Sequence, residues 1–99
     1  MVENGITSQK QVQELADAFL AMKSREEMID LLEDLCTINE IKAMAQRYEV
    51  AKMLYDNKNY VQIAQETGAS TATISRVNRC LNYGSGGYRR ALSRLGGGK

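Results

Sequence analysis

The chain has 99 residues, 43% of them hydrophobic and 25% charged, with two cysteines, no histidine and no proline, which bounds it to one small domain with a thin core if it stands alone. The net charge of +1 hides an asymmetry: positions 1–56 hold six Lys and Arg against eleven Asp and Glu, positions 57–99 seven against one, the pattern of a nucleic-acid face on an acidic body. No apolar run spans a membrane, no secretory signal is read at the start, and two distant cysteines without histidine argue against zinc and for reduced, buried thiols.

Positions 1–7 read as frayed. Ser8 with Gln11 resembles a capping box, and Val12, Leu15, Phe19 and Met22 recur at helical spacing, predicting a first helix from about Gln9 to Met22. Ser24 with Glu27 is a second capping box, before the stripe Met28, Ile29, Leu31, Leu32 and Leu35. Thr37 with Glu40 opens the longest helix, about Asn39 to Tyr55. Ile41, Met44, Ala45, Tyr48, Ala51 and Tyr55 make one apolar stripe there, widened by Ala43, Val50, Met53 and Leu54. A helix this apolar must be surrounded, and a second chain supplies cover that so short a chain lacks. Interlocked helices of a homodimer are therefore expected, with positions 9–55 as dimerisation helices.

Positions 56–59 read as a loop. The run YVQIAQETGASTATISRVNR, Tyr60 to Arg79, then reads as a helix-turn-helix. The first helix ends at Thr67, Gly68 falls where a helix end needs φ > 0, and Ser70 and Thr71 are candidate N-caps. Ala64 is small enough for a close crossing, and Ile74 faces inward with Val77 and Leu81. Thr71, Ala72, Ser75, Arg76 and Arg79 lie off that stripe. Short hydroxyl and methyl groups let a helix sit deep in a major groove, and arginine reads guanine or clamps phosphate. Base readout is expected from Thr71, Ala72, Ser75 and Arg79, and phosphate positioning from Lys58, Tyr60, Thr73 and Arg76, with Ser70 at the helix start. The plain alternative is a helical hairpin with a solvated polar face. Positions 83–87 (YGSGG) break the chain, and positions 87–95 form a short last helix. The whole is one all-α domain over 1–99.

Leu31 to Leu92 resembles the Trp repressor family, and the whole chain resembles its Trp-repressor-related YerC/YecD branch in Gram-positive bacteria. The features that carry this are the Thr37-x-x-Glu40 helix start, Arg47, and GASTATISR from Gly68 to Arg76. The resemblance implies an all-helical, intertwined homodimer whose two helix-turn-helix units meet successive major grooves. It also implies an effector pocket. Arg47 and Arg76 stand where the Trp repressor holds the indole of its corepressor between two arginines, and Thr37 where a threonine lies beside the ligand's amino group. Cys80 replaces a pocket serine and Val77 a glycine. Valine methyl groups in that space, and a thiol for a hydroxyl, argue against tryptophan as the ligand. Arg47 and Arg76 could instead pair with acids, contact phosphate or take another anion. Val61 and Ala64 stand where the repressor has basic residues on phosphate. Backbone charge must then come from Lys58, Arg76 and Arg79, with Arg89 and Arg90 as further contributors.

The function expected is a cytoplasmic, sequence-specific DNA-binding transcriptional regulator, a repressor, acting as a homodimer on double-stranded DNA with two half-sites. The alternative is a helical dimeric interaction module that works through protein partners and uses the helix-turn-helix as scaffold. No enzymatic reading survives: there is no histidine, no carboxylate cluster in the basic half, and GSGG at 84–87 follows no strand. No cofactor and no metal are expected.

Overall fold

A computed structural model of the chain describes residues 9–96. They form six helices: α1 (Lys10–Ala21), α2 (Arg25–Leu35), α3 (Ile38–Tyr55), α4 (Tyr60–Thr67), α5 (Thr71–Tyr83) and α6 (Gly87–Arg94). The described residues contain no strand, and none of their helices is long and apolar enough to cross a membrane. The chain divides into two compact units, Met1–Ile41 and Lys42–Lys99.

The first unit holds α1, α2 and the start of α3. Ser8 of the first expected capping box lies outside the described residues. The N-cap position is Gln9, whose side chain makes no capping bond. At α2 the Ser24 hydroxyl accepts from Glu27 N at 3.1 Å, while the Glu27 carboxylate accepts from Lys23 N at 2.8 Å. The return bond thus reaches one residue further upstream than in a standard capping box. At α3 the box is complete, with Glu40 N donating to Thr37 Oγ1 at 3.1 Å and Thr37 N to Glu40 Oε1 at 2.8 Å. Neither α1 nor α2 contains a buried residue. Leu15, Leu20, Ile29, Leu35 and Ile38 are all exposed.

The second unit holds the core: Val50, Ala51 and Met53 of α3, Ile63 of α4, Ala69 of the turn after it, Ile74, Val77 and Leu81 of α5, and Leu92 of α6. The α3 helix is surrounded only along its second half, since Ala43, Met44 and Ala45 stay exposed. Asn59, expected in a loop, is the N-cap of α4 and accepts from Gln62 N at 2.8 Å. Tyr83, expected in the break, is helical, and α6 opens at Gly87, the first position of the expected last helix, so only three residues separate α5 from α6. A side chain at Gly84 would strike the Cys80 carbonyl oxygen, so the chain leaves α5 at the one residue type that fits. Both cysteines are free, as expected, but neither is buried: Cys36 is half-buried and Cys80 exposed.

Candidate nucleic-acid interface

The α4–α5 corner is built by short-range hydrogen bonds that its sequence dictates. Gly68 adopts φ 73°, and its N–H donates to Ala64 O at 2.9 Å. The Thr67 hydroxyl donates to Ile63 O at 2.8 Å and accepts from Ala69 N at 3.1 Å. Gln46 of α3 ties the corner down, its Nε2 donating to Thr67 O at 3.1 Å. Ile63, Ala69 and Ile74 then close the inside of the corner, all buried. With its polar groups satisfied and its apolar groups packed, the corner holds α5 at a fixed angle to α4.

Ser70, not Thr71, is the N-cap of α5. Its Oγ accepts from Thr73 N at 3.1 Å and donates to Thr73 Oγ1 at 3.1 Å. Thr73 therefore keeps its own O–H free to donate outward. Ile74, Val77 and Leu81 are buried, and Thr71, Ala72, Ser75, Arg76 and Arg79 are exposed. The expected two-faced helix is therefore present, with small groups in its first two turns and arginines in its middle. Lys58 is exposed ahead of α4, and Tyr60 opens that helix at the margin of exposure. Among the described residues, Arg76 and Arg79 make no ion pair or hydrogen bond. Tyr83, not picked out from the sequence, is 85% exposed at the end of α5. Its spacing of eleven from Ala72, three helical turns, was the available signal.

Two other arginines have different surroundings. Arg89 is committed to the fold: its Nε donates to Leu81 O at 2.8 Å, its Nη2 to Asn82 Oδ1 at 2.9 Å, and its guanidinium lies 5.6 Å from the Tyr55 ring centroid. It closes the C-terminal end of α5 rather than standing free for phosphate. Arg47 is half-buried and, among the described residues, pairs with no acid.

The expected effector residues are not gathered into one cleft within the second unit. Val77 is 1% exposed and part of the core, because it shares the inward face of α5 with Ile74 and Leu81. Its methyl groups therefore do not project into a ligand space, and the expected clash with indole does not arise from them. Cys80 lines a cleft of about 480 Å³ with Tyr48, Gly84, Ser85, Gly87, Tyr88 and Ala91. That lining includes no arginine and no lysine. Thr37, in the first unit, spends its hydroxyl oxygen and its N–H on the Glu40 capping box.

A glycine-hinged pair of short helices, presenting hydroxyl, methyl and guanidinium groups opposite a buried stripe, defines a helix-turn-helix protein of the DNA-binding class. Comparison with known proteins makes the assignment specific. The Trp repressor protein family matches residues 10–96, and the chain belongs to that family. It is 54% identical over 86 residues to the uncharacterized protein YerC of Bacillus subtilis (strain 168), across 87% of this chain and 83% of that one. Among solved structures it resembles a TrpR-like protein from Eubacterium eligens ATCC 27750, at 54% identity and a TM-score of 0.87, covering 91% of this chain and 93% of that one. A Staphylococcus aureus protein proposed to be a Trp repressor has 46% identity and a TM-score of 0.85, with 89% and 88% covered. The resemblance read from Leu31 to Leu92 is borne out, and it extends through α1.

Proposed function

We propose that this protein is a sequence-specific transcriptional regulator, a repressor, that works in the cytoplasm as a homodimer on a DNA operator with two half-sites. The observation that carries this reading is the division of α5 into a buried stripe and an exposed face of Thr71, Ala72, Ser75, Arg76 and Arg79. Thr71, Ala72, Ser75 and Arg79 read base edges. Lys58, Tyr60, Thr73 and Arg76 position the helix on phosphate, through charge or through hydroxyl donors, with Ser70 at the start of the helix as its cap. Two such helices in a symmetric dimer enter successive major grooves, so half-sites lie roughly 34–36 Å apart. Support for a dimer comes from α1 and α2, which bury no residue within their own chain.

Free L-tryptophan is not the corepressor in this reading. A bound amino acid brings a carboxylate, which needs a cationic or strong donor partner once water is removed. The cleft beside Cys80 supplies tyrosine, serine and thiol groups and no cation. Selection of bound sequences from random duplex DNA, with and without amino acids, tests the whole reading. A recovered sequence with two related half-sites, unchanged by tryptophan, is the expected outcome. No affinity for any duplex at low salt would transfer the argument to a dimeric module acting through protein partners.

A further inference from the structure

We propose that Tyr83 is a DNA-positioning residue whose phenol hydroxyl donates a hydrogen bond to a backbone phosphate at the far edge of the major groove. The inference rests on the DNA-binding reading of α5 and extends its contact surface by a full turn. Tyr83 is 85% exposed, more than any other large apolar side chain among the described residues. It follows Ala72, Arg76 and Arg79 by eleven, seven and four residues, spacings that keep all four on one stripe of an α-helix. Eleven residues at about 1.5 Å each carry Tyr83 roughly 16 Å along the axis from Ala72. The major groove is only about 12 Å wide. A helix whose first turns meet base edges therefore brings Tyr83 to the sugar-phosphate wall.

The chemistry of the neighbourhood points the same way. The α4 helix, YVQIAQET, carries no lysine or arginine to meet phosphate. The last turn of α5 has no basic residue either. Asn82, the neighbour of Tyr83, is engaged: its amide donates to Asn78 O at 2.9 Å and its Oδ1 accepts from Arg89. The Tyr83 hydroxyl makes no hydrogen bond among the described residues. It is the free, outward donor of that turn, and as a neutral donor it adds a contact without adding charge.

Binding isotherms of the wild type, Tyr83→Phe and Tyr83→Ala on selected and mixed-sequence duplexes, at several salt concentrations, test this. Tyr83→Phe should weaken binding to all duplexes about three- to tenfold, the effect of one hydrogen bond. The slope of affinity against salt should not change, because a neutral donor releases no counterion. Tyr83→Ala should lose at least as much, and both variants should unfold at the wild-type midpoint. Wild-type affinity in Tyr83→Phe overturns the proposal, whatever Tyr83→Ala does. So does a loss confined to one base position, which would mean base readout. Absence of wild-type binding to any duplex is a separate result, seen before any variant is made, and it would defeat the DNA-binding reading itself.

Discussion

At the scale of single residues, the helical repeat of α5 fixes which side chains share a face. Ile74, Val77 and Leu81 are buried, as their spacing requires, and Arg79 is free. Arg79→Ala should cost about 1–3 kcal/mol at one base position and relax the preference there, measurable by competition with single-base operator variants. Lys58→Ala should instead weaken binding to all sequences and lower the salt slope by about one. Val77 and Arg89 differ from expectation for different physical reasons. The resemblance puts Val77 beside a pocket, whereas its helical position beside Ile74 and Leu81 puts it inward. Val77→Gly should therefore destabilise the fold by about 2–4 kcal/mol, through a cavity and an added helical glycine, without gaining tryptophan binding. Chemical denaturation and calorimetric titration of the same sample check both halves of that expectation. The hydrogen-bond partners of Arg89 lie eight and seven residues back, across the turn at Gly84–Gly86, and its third contact, the Tyr55 ring, lies on α3. No periodicity spans such a break, so nothing in the sequence could show them. Arg89→Ala should lower stability by about 1–2 kcal/mol while Arg90→Ala stays within about 0.5, both read from denaturation midpoints.

At the scale of elements, capping chemistry decided most boundaries correctly, because a cap needs one polar side chain at a fixed offset from the helix. Thr37, Glu40, Ser24 and Ser70 all make the bonds their spacing implies. Asn59 is hidden as a cap because it ends a polar run that reads as loop, yet Asn three before Gln62 is the same kind of signal. The α5–α6 break shrank for a physical reason: one glycine at position 84 ends α5 by steric fit, and little further chain is needed. Ser70→Ala should cost about 0.5–2 kcal/mol. Gly68→Ala should cost about 1–2 kcal/mol although nothing lies within 4 Å of an added methyl group, because the penalty is for φ 73° and not for crowding. Both should reduce DNA affinity by loosening the angle of α5. A Gly68→Ala protein of unchanged stability would show that the turn tolerates a different conformation.

At the scale of the molecule, what remains to be explained is how α1 and α2 are stable at all. They have 12 and 11 residues and bury no side chain. Helices of that length are marginal in water on propensity alone, and most helical stability comes from packing an apolar face. Leu20 of α1 and Leu35 of α2 are nonetheless left open, at 82% and 50% exposed, and Ile38 at the start of α3 is 71% exposed, with the exposed Ala43, Met44 and Ala45 continuing the pattern along α3. Fully burying one such leucine or isoleucine is worth about 1.5–3 kcal/mol, so several together exceed the stability margin of a small domain. A second copy is the cover this protein is proposed to use, which makes folding and association a single equilibrium. Helicity by circular dichroism should then fall on dilution, and the unfolding midpoint should rise with protein concentration. Sedimentation at micromolar protein should give about twice the 11.0 kDa chain mass. Leu20→Lys and Ile38→Lys, at sites that a monomer would leave in water, should each shift that equilibrium toward unfolded monomer. A monomer that keeps all six helices at micromolar concentration, and is indifferent to those two substitutions, would remove both the dimer and the paired half-sites that depend on it.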